Sequence, residues 1–348
     1  MKIGKTEIGP THPPFFIAEA GVNHNGELDA AKELIDIAAD SGADAVKFQT
    51  FSADRLVTPH ASKAEYQTET TGDGSQYEML KQYELGREDH KELIDFCDER
   101  DIMFLSTPFD RESADMLREL GVDAIKLGSG ELDNIPLIKH VAEFGMPLIV
   151  STGMGTLEEA IEAHEAIQSV DPDLEAVFLH CTSSYPCSID DVHLRAMQTM
   201  KDELQTLVGY SDHTTLPETP ALAVAAGACV LEKHFTLDST LPGPDHEASL
   251  EPAELEEAID LVDIASRILG NPDKVPTLAE LGNLKKTRKS LHAAVDIPEG
   301  TKLEPKHISI IRPAEGLTPQ KYNIVMGKTT RQNLQKGEPL TEASLDSQ

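Results

Sequence analysis

Eight short apolar runs, each followed by an amphipathic stretch, limit the fold of this chain more than any other feature. The runs are FFIAEAGVN (15–23), AVKFQTF (45–51), MFLSTPF (103–109), AIKLGSG (124–130), PLIVSTG (147–153), AVFLHCTSSYP (176–186), TLVGYSDHT (206–214) and CVLEKHFTLD (229–238). Each is rich in β-forming residues and ends in small or polar ones, as a buried parallel strand does. The segments 27–41, 88–100, 112–120, 156–169 and 252–269 carry apolar residues at helical spacing, for example Leu255, Ile259, Val262 and Leu269. Eight β-α pairs within about 270 residues predict an α/β chain built as a (β/α)8 TIM barrel. An open doubly wound sheet would not call for eight units. Only the gap after the second run is long, which places an inserted loop with a short helix, 52–86, at the exit of strand 2 on the catalytic face.

The alternation stops near Gly270. Residues 271–287 contain two prolines and read as a linker between a barrel over 1–270 and a small β-rich domain over 288–348. Within the latter, IPEGTKL (297–303) and LQKGEPL (334–340) form a weak internal repeat, a turn-strand unit used twice.

Composition narrows the partners. Of 348 residues, 61 are Asp or Glu against 30 Lys or Arg, for a formal charge of −31. A general basic surface for nucleic acid is excluded, and adsorption to anionic lipid is disfavoured. No run approaches the length of a membrane span, the residues 1–10 lack the apolar core of a secretory signal, and four cysteines without a CxxC spacing suit a reducing compartment, so a cytoplasmic location is expected. The acids are spread along the chain, in clusters such as 89–92, 171–173 and 254–257. Such a surface serves solubility in any cell; it also suits a high-salt cytoplasm, where screening relieves self-repulsion.

In a barrel enzyme the reacting groups stand at the C-terminal ends of strands. Here those ends hold Glu19; Lys47 and Gln49; Thr107; Lys126, Ser129 and Glu131; Ser151; Ser183 and Tyr185; Ser211 and His213; and Glu232, Lys233 and His234. A single buried Lys or Glu is readily a structural ion pair, but so many converging on one rim point to a site. Lys47, Thr107, KLGSG (126–130) and STGMG (151–155) together offer cations, hydroxyls and glycine-flanked amides, an anion cradle suited to phosphate. Neither glycine cluster fits a P-loop or a dinucleotide fingerprint. His213 and His234, on adjacent strands, could share a divalent ion as neutral imidazoles, with Asp212, Glu232 or Asp245 orienting them; as isolated residues they would equally be hydrogen-bonded core histidines.

The strings AEAGVNHNG, KFQT, STPFD, KLGSGEL, STGMGTLEEA, HCTSSYP, VGYSDHT, EKHFTLD and GPDHEASLEP, in this order, resemble the sialic acid synthase family over about residues 15–345, and the C-terminal part resembles that family's antifreeze-like (SAF, β-clip) domain. The resemblance implies a carbon–carbon bond-forming transferase that condenses phosphoenolpyruvate with an N-acyl amino sugar. N-acetylmannosamine, giving N-acetylneuraminate, is the leading sugar; the alternative is a 2,4-diacetamido-trideoxy hexose giving legionaminate or pseudaminate. It further implies that Lys47, Thr107, Lys126, Ser129, Ser151 and Ser211 hold phosphoenolpyruvate; that His213 and His234 bind a divalent metal, Mn2+ in the first instance, with Mg2+ or Co2+ as substitutes; that Glu19 and Glu131 stand at the reacting centre; and that Gln49, Ser183, Tyr185 and Asp245 contact the sugar. Arg312 matches an arginine sent into a partner subunit's barrel, which implies a domain-swapped homodimer. Two positions depart from the commoner pattern: Ser183 replaces an Asn found in some members, and RPAEGL replaces RPGxG after Arg312.

Two rivals use the same residues differently. A Schiff-base aldolase would make Lys126 or Lys233 its nucleophile, and a non-catalytic glycan- or ice-binding protein would leave the polar rim without a role. The acidic surface has its own test. If it is adapted to high salt, the thermal midpoint is expected to rise steadily from low to multimolar KCl; equal midpoints would show an ordinary solvated surface.

Overall fold

The structure is a computed structural model that describes residues 1–346, apart from the side chains of residues 65, 66 and 69. It divides into two compact units, Met1–Gly270 and Asn271–Gln348; the last two residues of the second lie outside the described residues.

In the first unit a hairpin, β1 (Lys2–Ile3) and β2 (Thr6–Glu7), precedes eight parallel strands: β3 (Phe15–Gly21), β4 (Ala45–Thr50), β5 (Met103–Pro108), β6 (Ile125–Leu127), β7 (Leu148–Ser151), β8 (Ala176–Cys181), β9 (Leu207–Asp212) and β10 (Val230–His234). They pair in the order β5-β4-β3-β10-β9-β8-β7-β6, and β5 and β6 lie side by side to complete the ring. The expected TIM barrel is therefore present. Each strand begins within one of the eight apolar runs, because a strand covered on both faces reads as a nearly continuous apolar string. Alternate side chains serve two cores. Inward residues such as Phe15, Ile17, Leu105, Ile149, Val177 and Val230 fill the lower barrel, which Ile3 and Ile8 of the hairpin region cap. Outward residues such as Phe16, Val46, Phe178, Val208 and Leu231 pack under the surrounding helices.

Those helices are α1 (Leu28–Asp40), α5 (Arg87–Glu99), α6 (Arg111–Leu120), α7 (Ile135–Ala142), α8 (Leu157–Val170), α9 (Ala196–Leu204), α10 (Thr219–Ala225) and α11 (Pro252–Leu269). Their starts carry caps that the sequence advertises: Asp110 accepts from Ser113 N–H at 2.9 Å, and Thr156 and Glu159 cap one another. The insertion after β4 forms three short helices, not one: α2 (Ala53–Leu56), α3 (Glu65–Thr71) and α4 (Gln76–Lys81). Val22, Phe51, Met79 and Tyr83 make a small cluster of their own beneath it, with Leu56, Leu80 and Phe109 packed against them.

The second unit has its own core, from Leu291, Ile297, Leu303, Val325, Leu334, Leu340 and Leu345. Its one regular sheet pairs β11 (Ser290–Ala293) with β12 (Ile308–Ile311), and a single turn forms α13 (Tyr322–Val325). The two copies of the internal repeat pair with each other: Ile297 and Leu334 exchange N–H···O bonds of 2.7 and 2.8 Å, and Gly300 and Gly337 take left-handed φ angles of 78° and 87° at equivalent places. Residues 271–287, read from the sequence as a linker, group with this unit and contain α12 (Leu278–Thr287). The prolines end before it, and Thr277 N–H donates to Glu280 Oε2 at 2.8 Å, a start signal that the prolines obscured. Among the described residues no helix is long and apolar enough to cross a membrane.

Gly209 in β9 shows how tightly the barrel wall is packed. A Cβ there would stand 2.3 Å from the Val230 carbonyl oxygen and 2.5 Å from Leu179 Cδ2. Gly209→Ala is expected to lower stability by about 1–3 kcal/mol through overpacking. Gly282→Ala, in α12 with no neighbour within 4 Å of the added carbon, is expected to be neutral or to gain up to about 1 kcal/mol. Urea titration of both variants measures the contrast.

Candidate active site

The C-terminal strand ends surround a cavity of about 560 Å³. Glu19, Lys47, Thr107, Lys126, Ser151, Ser211, Glu232 and His234 face it from seven of the eight strands, and Cys181 from the eighth. Gln49, Ser129, Glu131, Ser183, Tyr185, His213 and Asp245 complete the polar lining. Every barrel residue singled out in the sequence as a site candidate is thus brought together, except Asp212 and Lys233. That lysine points out of the cavity and is fully buried against Asp212, which removes it as a Schiff-base nucleophile. Arg312 lies in the second unit and is exposed.

The floor is a buried charge network. Lys47 Nζ stands 2.6 Å from Glu19 Oε2 and 3.8 Å from Glu232 Oε2, and donates to Thr107 Oγ1 at 3.0 Å. Lys126 Nζ is 3.6 Å from Glu232 Oε1, which also accepts from Ser211 Oγ at 2.9 Å. Glu232 therefore sits between the two lysines and keeps them from driving each other apart. The sequence offered Glu232 only as a rim residue and a partner for the histidines, not as the group between the lysines; its spacing two residues before His234, on the same face of the strand, places it in the cavity. Burial alone would push Glu232 up, but Lys126 and Lys47 outweigh it and hold the carboxyl at about 2. Burial would pull Lys47 down, yet Glu19 and Glu232 raise it; Lys126, with less compensation, is lowered by burial. For Glu19 burial dominates over the pull of Lys47 and lifts the carboxyl to about 7. Burial likewise raises Asp245 to about 6. Two lysines thus face a cavity in which two carboxyls, Glu19 and Asp245, are easily protonated. That leaves room for an incoming anion.

Two glycines keep the lining open. A Cβ on Gly21, which has a φ of 54°, would lie 3.3 Å from Glu19 Oε1, 3.4 Å from Asp245 Oδ2 and 3.6 Å from Gln49 Nε2. These three groups therefore converge on one spot. A Cβ on Gly153 would meet Ser183 Oγ at 2.3 Å and Ser129 Oγ at 2.7 Å, and Ser129 Oγ accepts from Gly153 N–H at 2.9 Å. Glu131 is held by Asn134, whose Nδ2 donates to Oε2 at 2.6 Å. On the outer wall the inserted segment contributes Leu56, Val57, Met79, Leu80 and Tyr83, an apolar surface that no polar motif announced.

The two histidines are neighbours. Their ring centroids are 5.4 Å apart, and the Tyr185 ring stacks 4.1 Å from His213 and 5.7 Å from His234. His213 Nδ1 is 2.7 Å from the Thr182 carbonyl oxygen, so this nitrogen carries the proton and Nε2 keeps its lone pair. His234 Nδ1 is buried without a hydrogen-bond partner among the described residues, and burial, joined by His213 and Lys47, lowers its basicity well below normal. Two adjacent imidazoles at one cavity, which would bind a metal in their neutral form, suit a divalent cation. Among the described residues no cluster of three or more His, Cys, Asp or Glu is arranged to hold a metal ion.

A (β/α)8 barrel with a lysine-lined anion pocket beside paired imidazoles, followed by a small β-rich unit, defines a class of synthase. Comparison with known proteins places the chain within it. The NeuB family model matches residues 34–274 and the SAF domain model matches 288–346. The N,N'-diacetyllegionaminic acid synthase of Legionella pneumophila is 46% identical, the match covering 94% of this chain and 93% of that protein. The human N-acetylneuraminate-9-phosphate synthase is 34% identical, over 98% and 95% of the two chains. The crystal structure of the N-acetylneuraminic acid (sialic acid) synthetase from Leptospira borgpetersenii, in complex with citrate, superposes with a TM-score of 0.73 at 35% identity, covering 81% of this chain and 94% of that one. The chain belongs to the NeuB family of sialic acid synthases.

The raised Glu19 carboxyl gives stability a definite pH dependence. Its folded pKa of about 7 lies above the ordinary 4.5, so the folded state binds more protons than the unfolded between those values. Stability from this group is therefore fully present below about pH 4.5 and is lost as pH rises through 7. Relative to the parent, Glu19→Gln is expected to lose this slope and to melt higher above pH 7 than below pH 5. Parallel melting curves across that range would contradict it.

Proposed function

We propose that this cavity condenses phosphoenolpyruvate with a 2,4-diacetamido-trideoxy hexose, giving a nonulosonic acid of the legionaminate type and inorganic phosphate. One observation carries the reading: two buried lysines and two adjacent imidazoles share a single barrel mouth. N-acetylmannosamine, the leading sugar from the sequence, gives way here to the alternative, because the likeness to the N,N'-diacetyllegionaminic acid synthase exceeds that to the N-acetylneuraminate-9-phosphate synthase.

Lys47 and Lys126 bind the phosphate and carboxylate of phosphoenolpyruvate, with Thr107, Ser129, Ser151 and Ser211 donating hydroxyl hydrogen bonds. Ser151 Oγ, buried with no partner among the described residues, is free to do so. His213 and His234 hold a divalent ion, Mn2+ in the first instance, which when bound supplies Lewis-acid polarisation of the sugar's aldehyde oxygen. Gln49, Ser183, Tyr185 and Asp245 orient the open-chain sugar so that its aldehyde carbon meets carbon 3 of the enol phosphate. The new carbon–carbon bond leaves a cationic carbon 2. Water adds there, Glu131 takes its proton, and collapse of the adduct breaks the bond to phosphate and leaves the keto group. Glu19, poised near neutrality, carries a proton to the former aldehyde oxygen. Arg312 serves a second copy of the chain, capping that copy's cavity in a swapped dimer. The four cysteines, all buried and unpaired, support a reducing, cytoplasmic setting.

The test is an assay with phosphoenolpyruvate, Mn2+ and each sugar in turn, reading phosphate release and product mass. One phosphate per product is expected, with kcat/KM for the diacetamido sugar at least about tenfold above that for N-acetylmannosamine, and His213→Ala or His234→Ala inactive at ordinary Mn2+ concentrations. Preference for N-acetylmannosamine would restore the other sugar. Chelator-resistant turnover with borohydride trapping at Lys126 would instead make this an aldolase.

A further inference from the structure

Behind the paired imidazoles lies a second charge pair that takes no part in the cavity. Asp212 and Lys233 are register partners on β9 and β10, and both are buried, at 1% and 0% exposure. Strand alternation turns Ser211, His213, Glu232 and His234 inward; it turns Asp212 and Lys233 outward, into the apolar layer that holds Tyr210, Leu231 and Phe235. Lys233 Nζ stands 2.6 Å from Asp212 Oδ2 and also donates to the carbonyl oxygen of Thr214 and, at 3.3 Å, to its hydroxyl. Asp212 Oδ1 accepts from Thr214 N–H at 2.9 Å and from Tyr210 O–H at 3.2 Å. The Thr214 hydroxyl closes the ring with 3.2 Å to Asp212 Oδ2 and 3.1 Å to Thr219 Oγ1.

Three members of this ring adjoin a histidine in the chain. Asp212 and Thr214 flank His213 on both sides, and Lys233 immediately precedes His234. The ring therefore ties the backbone that carries one imidazole to the backbone that carries the other, from the face opposite the cavity. An ion pair in an apolar layer is a poor way to add stability, since well-packed apolar residues of similar volume serve at least as well. It does fix geometry, because each of its donors and acceptors has one direction.

We infer that Lys233 and Asp212 form a positioning clasp that sets the separation and orientation of His213 and His234 for a divalent cation. The inference rests on the two-histidine reading of the metal site. The clasp touches no substrate, and partners of this kind govern metal affinity through the ligands they orient.

Direct Mn2+ binding, read from the EPR signal of the free ion in the full-length protein, tests it alongside thermal melting. Asp212→Asn keeps the shape and removes the charge; Lys233→Met keeps most of the volume. Each is expected to weaken Mn2+ binding by about tenfold or more. Phosphoenolpyruvate affinity measured without metal is expected to stay within about twofold, because Lys47 and Lys126 make no contact with the pair. The double variant Asp212→Leu/Lys233→Met relieves the unpaired charge, so it is expected to recover the melting temperature and not the Mn2+ affinity. A folded single or double variant that binds Mn2+ within about twofold of the parent overturns the clasp. Mn2+ binding that survives His213→Ala overturns the two-histidine site itself, and so tells the two failures apart.

Discussion

Glu232, held between Lys47 and Lys126 out of reach of water, is the constraint on which the rest of the site depends. Removing either lysine would leave Glu232 with one cation instead of two, and removing Glu232 would leave two cations within one small chamber. Isolated buried charges of this kind are costly, so the three persist together. The arrangement requires strand ends rather than loops, since only the ladder holds side chains from β4, β6 and β10 at fixed spacing. It requires a dry floor, supplied by the apolar lower barrel.

That local balance is the reverse of the whole chain's. A molecule with a formal charge of −31 repels anions at long range. Inside the mouth, burial raises Glu19 to about 7 and Asp245 to about 6, while Glu19 and Glu232 raise Lys47 against the effect of its own burial. The site thus separates the sign of its own field from that of the surface by desolvation, not by any excess of basic residues. An acidic exterior and a lysine-lined interior coexist because water and its ions screen the surface carboxylates, while the buried groups act on one another at short range.

Much of the fold was legible because parallel barrel strands are covered on both sides and so write themselves as unbroken apolar runs. The polar residues that end those runs were legible for the same reason: Lys47 or His234 stands out only against such a background. What escaped has equally physical causes. The central place of Glu232 depends on the register of three strands, which no single run displays. Lys233, one residue along, reads alike in the sequence and faces the other way; only the parity of the strand separates them. The apolar wall of Leu56, Met79 and Leu80 belongs to helices of four to six residues, too short to show a period. Helix α12 was hidden behind two prolines that precede it. The repeat in the second unit, by contrast, was visible as words before its two copies were seen to pair.

The inserted segment rests on its own small cluster, Val22, Phe51, Met79 and Tyr83, distinct from both barrel cores. It borders the cavity yet contributes little to the packing that closes the ring. Selection can therefore rewrite this rim by point changes or altered length at small thermodynamic risk, while the charged floor below stays constant. A lineage of such enzymes would diversify in the sugars it accepts far more readily than in the chemistry it performs.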